Sequence, residues 1–167
     1  MNSLTERRKA ILMLVITALL WSTSGVLVKA LSWQPVSILA GRGLFTSIVF
    51  LLYIRRLPTK WTRWMLLAAG MSIITQFLFV TSTKLTTAAN SIFLQYTAPI
   101  YVVLLGYWLL REKPSRTDWV SMVIIFLGLL LFFGDQLSPT GFYGNVLAVL
   151  SGVTSAIMMV SFRAQKD

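Results

Sequence analysis

QPVSILAGRGLFTSIVFLLYIRR, residues 34–56, is the stretch on which the reading of the chain turns. From Val36 to Ile54 it is almost entirely apolar, and about the length needed to cross a bilayer, roughly 20 residues. One charge interrupts it: Arg42, flanked by Gly41 and Gly43. A guanidinium cannot shed its proton, and at a bilayer centre it costs about 2.5–3.5 kcal/mol on insertion scales. Arg42 lies some six residues from one end of the run, about 9 Å deep at ~1.5 Å per residue. Two readings stay open. The side chain either snorkels to the interface or faces other helices and meets an anionic group there.

The rest of the chain resembles this stretch. Hydrophobic residues make up 56% of the 167 positions and charged residues 12%, against roughly 25% charged in a soluble domain. A globule of this length cannot hide that much apolar surface, so lipid is the solvent. The net charge of +10 does not point to nucleic acid, because the basic residues cluster in short gaps between apolar runs. There they read as topology signals. The chain has no Cys and no His, which removes thiolate and imidazole metal sites and the commonest catalytic base. No cofactor is expected. The apolar run after Arg7-Arg8-Lys9 continues for about 20 residues, beyond the ~7–15 of a cleavable signal, so it is read as a retained first helix.

Six apolar segments stand out, at about 10–31, 36–54, 64–82, 89–110, 117–134 and 143–162. Backbone polar groups in lipid must be satisfied internally, and nothing alternates as a barrel strand would, so the expected class is an all-α polytopic membrane protein with six transmembrane helices. With the N-terminus inside, twelve of the fifteen basic residues fall on the cytoplasmic side, leaving Lys29, Arg42 and Lys84 near the other. That split predicts that both termini are cytoplasmic. Local signals agree with the cuts. Pro35 opens the second segment, Ser115 and Asp118 have capping-box spacing before the fifth, and Gly134 closes the fifth ahead of the longest outer loop, GDQLSPTGFYG. A faint internal echo pairs the sixth segment with the first: at an offset of 134 residues, Lys29-Ala30 lies over Arg163-Ala164 and Ala18 over Gly152. A five-helix block is odd-numbered, so a second copy starting at the sixth helix enters from the opposite face, the inverted-repeat arrangement of secondary transporters.

ALLWSTSGVLVKAL, QPVSILAGRGLF, the long stretch STKLTTAANSIFLQYTAPIYVVLLGYWLLREKPSRTDWVSMVIIFLGLLL and GNVLAVLSGVTSAIMMVSFRA together resemble the EamA-type proteins of the drug/metabolite transporter superfamily. The resemblance implies a carrier of small metabolites, often an exporter, built from two five-helix repeats. It divides the chain into a cytoplasmic N-terminus (1–9), a five-helix repeat (10–134), and an outer loop with the first helix of a second repeat (135–167). Helices 7 to 10 of that pattern lie beyond residue 167, so the resemblance implies a longer frame, a second copy or a partner chain that supplies them. The expected location is the plasma or inner membrane, multi-pass, with the lipid bilayer and a small-molecule substrate as partners.

Polar side chains in the apolar runs are the candidate substrate-binding residues. Trp21 and Ser24 stand on the first helix, where Trp21 lies mid-membrane rather than at the interface; they either line a cavity or pack helices. Gln76 and Gln95 carry amides that need hydrogen bonds in hydrocarbon and so face protein or water. Ser91, Gln95 and Pro99 share one helix face beside Tyr96, and Pro99 frees the carbonyl near residue 95. That combination resembles the interrupted helices at transporter sites. Arg42 completes the set. Lys29 and Lys84 are within reach of the outer surface, and Glu112 sits in a solvated turn.

Apart from Asp118 at the very start of the fifth segment, no Asp or Glu lies in an apolar run, which disfavours proton coupling through a membrane carboxylate. An intramembrane hydrolase needs a nucleophile with a base. Without His or Cys only Ser–Lys chemistry remains, and Ser24 and Lys29 are five apart on different faces, so the chain is not read as an enzyme. A non-transporting assembly subunit, or a half-transporter that needs a partner, is the alternative to a secondary transporter or facilitator.

Overall fold

The computed structural model of the chain describes residues 3–54, 61–133 and 141–165. It is all-helical, with no strand among the described residues. The helices are α1 Ser3–Ala30, α2 Pro35–Tyr53, α3 Arg63–Leu85, α4 Ala88–Gln95, α5 Ala98–Leu110, α6 Arg116–Phe133 and α7 Phe142–Ala164. Among the described residues, five spans are long and apolar enough to cross a membrane: Arg7–Ala30, Pro35–Tyr53, Arg63–Leu85, Ala88–Leu110 and Phe142–Ala164. Helix α6, 18 residues long, coincides with the remaining apolar segment of the sequence. Gly134 and most of the outer loop expected after it lie outside the described residues, as do the basic residues Arg55, Arg56, Lys60 and Lys166.

Helix ends follow their sequence signals. Pro35 begins α2 after an extended Gln34, a position where its missing N–H costs nothing. Thr62 accepts the Met65 N–H at 3.2 Å and Thr87 the Asn90 N–H at 3.1 Å, each satisfying an orphan donor of a first turn. The box before α6 is reciprocal: Ser115 Oγ accepts the Asp118 N–H at 3.2 Å, and the Asp118 carboxylate accepts the Ser115 N–H at 2.7 Å. Helix α5 stops where Arg111 turns left-handed, at φ 55°. The Glu112 N–H then closes on the Gly106 carbonyl at 3.2 Å.

The fourth apolar segment differs from one continuous helix. It breaks at Tyr96–Thr97 into α4 and α5. Pro99 has no N–H to donate to the carbonyl four residues back, that of Gln95. Thr97 turns inward on itself, its hydroxyl donating to the Leu94 carbonyl at 2.7 Å.

Helix α7 is the hub, packed against α3, α4 and α5, while α2 lies on α3, α1 reaches α3 and α4, and α6 touches α5. Small residues make this closeness feasible. Gly144, Ala148, Ser151, Gly152, Ser155 and Ala156 are the buried face of α7. A Cβ on Gly144 would stand 2.8 Å from Thr86 Cβ and 2.9 Å from its backbone N. One on Gly152 would stand 3.0 Å from Thr97 Oγ1 and 3.2 Å from the Gln95 carbonyl oxygen, so the interruption between α4 and α5 is seated on that glycine. Hydroxyls tie the same helices: Thr75 donates to Thr154 at 2.7 Å, and Ser82 and Ser91 share a hydrogen bond of 2.7 Å. Two small apolar cores flank this seam, Val28–Ile38–Val80 and Val102–Ala156–Val160.

Candidate functional site

Among the described residues, clefts open between helices in at least two places. The larger, about 480 Å³, lies between α1 and α2. From α1 it takes Leu20, Ser24, Leu27 and Val28, which recur at helical spacing along one face, with Leu31 just past the helix; from α2 it takes Ile38, Gly41, Arg42, Phe45 and Thr46. Ser24 and Arg42, far apart in sequence, thus meet in one cleft whose remaining wall is largely apolar. The smaller, about 310 Å³, lies beside the α4–α5 interruption, lined by Leu94, Thr97, Ile100 and Tyr101 against Phe126, Leu129 and Leu130 of α6.

The other sequence-derived candidates are distributed around these clefts. Gln95, half-buried, and the exposed Tyr96 and Pro99 stand at the interruption itself. Ser91 is fully buried and engaged with Ser82, placing it in the seam between α3 and α4. Trp21, 77% exposed, lies on the outer surface of α1, and Gln76 is exposed on α3; neither lines a cleft. The structure therefore joins Ser24 with Arg42 and Gln95 with Tyr96 and Pro99, and leaves Trp21 and Gln76 apart from both groups.

Three polar features escaped sequence reasoning. Lys29 Nζ donates to the carbonyls of Thr86 at 2.7 Å and Thr83 at 3.3 Å, covering the open end of α3, while Lys84 Nζ donates to the Leu31 carbonyl just past α1. Each lysine thus sits at the negative end of the other's helix, where a cation is stabilised. Their position in the last turns of α1 and α3 was the available signal. At the same end, Thr86 donates to Asn145 Oδ1 at 2.9 Å, and Asn90, 3% exposed, leaves its Oδ1 without a hydrogen-bond partner among the described residues. At the opposite end Glu112, after α5, pairs with Arg163 of α7 at 3.1 Å. These contacts put the ends of α1 and α3 beside the start of α7, and the end of α5 beside the end of α7, so α1 and α3 run opposite to α5 and α7.

Among the described residues, the buried polar groups are hydroxyls and the Asn90 amide, the exposed Arg42 guanidinium stands on the α1–α2 cleft wall, and no carboxylate lines either cleft. No group of three or more His, Cys, Asp or Glu residues suited to a metal occurs among the described residues.

No solved structure matches the chain. An uncharacterized transporter of Helicobacter pylori (strain J99 / ATCC 700824) is 29% identical over 98 residues, 59% of this chain and 32% of the relative. The chain thus spans about a third of that relative's length. The EamA-like transporter family model matches residues 8–134, from the first turns of α1 through the end of α6. By that match, which covers well over half of its length, the chain belongs to the EamA-like transporter family.

Proposed function

We propose that the protein carries small metabolites, amino acids and related solutes among them, across the plasma or inner membrane as a secondary transporter or facilitator. The observation that carries this reading is the family match over residues 8–134. The geometry supports it. A span interrupted at Tyr96–Thr97 exposes backbone polar groups at mid-depth, which is tolerated where protein or a water-filled cavity meets them. In this reading α6 is a sixth span, both termini are cytoplasmic, and α7 opens an inverted second repeat completed by helices from a longer frame, a second copy or a partner chain. Gln95, Tyr96 and Pro99 form the solute's mid-membrane station, and Ser24 and Arg42 its outer approach.

Cells that lack their own exporters and express the protein test this. Efflux of a panel of labelled amino acids and small metabolites is expected to rise above empty-vector cells for at least one solute. Gln95→Ala should lower that flux about tenfold, the cost of one lost hydrogen bond to a buried polar group. A panel that shows no difference from empty vector, with the protein present in the membrane, contradicts the reading.

A further inference from the structure

Several cations in the described helices have an occupation. Lys29 and Lys84 cap opposing helices, Arg163 holds Glu112, and Arg63 lies over the Trp64 ring at 5.3 Å. Arg42 is different. No hydrogen bond, ion pair or ring contact engages its guanidinium among the described residues, yet it stands on the wall of the α1–α2 cleft, about two turns into α2 from Pro35. Its surroundings are Ser24 and Thr46, which offer neutral hydroxyls, and the apolar Leu20, Leu27 and Phe45. The counter-charge is missing from the helices that build the cleft. α2 contains no Asp or Glu, and the one acidic residue of α1, Glu6, is 18 positions before Ser24. Arg42 is exposed on the cleft wall, so a ligand can reach it, and its planar fork matches the two oxygens of a carboxylate or phosphate.

We propose that the α1–α2 cleft binds an amphiphilic organic anion. Its carboxylate or phosphate sits on Arg42, with Ser24 and Thr46 as hydrogen-bonding neighbours, and its apolar body lies along Leu20, Leu27 and Phe45. The assignment deepens the transport reading by naming the solute class for the outer approach, and it rests on that reading for the free-solute case. Two sources carry the same chemistry: a free anionic metabolite, and the headgroup of an anionic lipid whose chains follow the apolar wall. Side chains on a helix lean toward its N-terminus, so the Arg42 fork is directed toward the Pro35 end of α2, within reach of either.

Equilibrium binding, which needs no flux, separates this proposal from the transport reading. The full chain in nanodiscs of purely zwitterionic lipid is titrated with octanoate and, in parallel, with uncharged octanamide. A second set of nanodiscs contains phosphatidylglycerol, and lipid retention is read by native mass spectrometry. Octanoate is expected to bind at least about tenfold more tightly than octanamide, and Arg42→Gln to erase that difference. Arg42→Lys, which keeps the charge but loses the fork, should retain part of it and shows that the cleft still folds. If phosphatidylglycerol displaces octanoate and is retained by the unmodified chain but not by Arg42→Gln, the lipid is the source. If lipid leaves octanoate binding unchanged, the free solute is. Octanoate and phosphatidylglycerol binding that are both indifferent to Arg42→Gln overturn the proposal, whatever the flux assay shows.

Discussion

Helices α7 and α2 are alike in apolar content, and both are long enough to cross a membrane, yet the fold uses them in opposite ways. In the most apolar stretch of α7, 39% is buried inside the protein; in that of α2, 6% is. The difference lies in which small residues each carries and where. The buried stripe of α7 is, apart from Val160, glycine, alanine and serine, which lets α3, α4 and α5 come close enough for hydroxyls to bond across. The glycines of α2, Gly41 and Gly43, have nothing within 4 Å of where a Cβ would stand. In lipid, apolar side chains gain little by hiding from a solvent as apolar as themselves. Closeness and hydrogen bonds therefore decide which helices form the knot, and hydrophobicity decides only that they are in the membrane.

Paired glycine substitutions break that comparison most sharply. Gly144→Ala places a methyl 2.8–3.0 Å from Thr86 Cβ, Thr86 N and Leu85 C, and two of those three atoms are backbone that cannot rotate away. The expected cost is about 3 kcal/mol, at the upper end for overpacking, read as a shift in reversible unfolding in mixed detergent micelles. Gly43→Ala, into open space, should instead be neutral or stabilise by up to about 1 kcal/mol through helix propensity. Equal losses at both positions would mean that α7 is no more a hub than α2.

A smaller effect is expected where α1 joins the knot. Lys29→Met removes the ammonium that covers the Thr83 and Thr86 carbonyls at the end of α3. Because the lysine is exposed, the loss should be about 1 kcal/mol, the scale of a cation at a helix C-terminus. Hydrogen exchange adds a local signature: protection should fall at the Thr86 amide, which donates to the Ser82 carbonyl, before it falls at the centre of α3.

How much of this was legible depends on whether the cause is local. Helix positions followed from apolar runs, and the Ser115–Asp118 box from three-residue spacing. The interruption was foreshadowed by Pro99, whose effect on the Gln95 carbonyl is a property of the proline itself. Pairings across helices were not legible. Nothing in the spacing of Lys29 and Lys84 says that each ends on the other's helix, because that depends on α1 and α3 finishing side by side. Ser24 and Arg42 were each singled out, but their shared cleft needs the facing of α1 toward α2. Trp21 illustrates the same limit: its mid-segment position was visible, while the direction of its face was set by packing.

The hydrogen bonds of the seam provide the finest test of the comparison. Thr75 Oγ1 donates to Thr154 Oγ1 at 2.7 Å, from the centre of α3 to the centre of α7, and Thr154 itself donates to the Ser151 carbonyl at 3.1 Å. Thr154 therefore keeps a partner if Thr75 becomes Val, whereas Thr75 loses its acceptor if Thr154 becomes Val. A cycle of Thr75→Val, Thr154→Val and the double variant isolates the pairwise term. Its expected value is about 0.6 kcal/mol, the average for interhelical side-chain bonds in membranes. A matched cycle joining Thr75 to Thr46 of α2, which lines the α1–α2 cleft, should give a coupling near zero. If the seam cycle also came out at zero, small-residue packing alone would account for α7 being held more tightly than α2. The hydroxyls would then only satisfy themselves locally, as Ser151 does on the Ala148 carbonyl of its own helix.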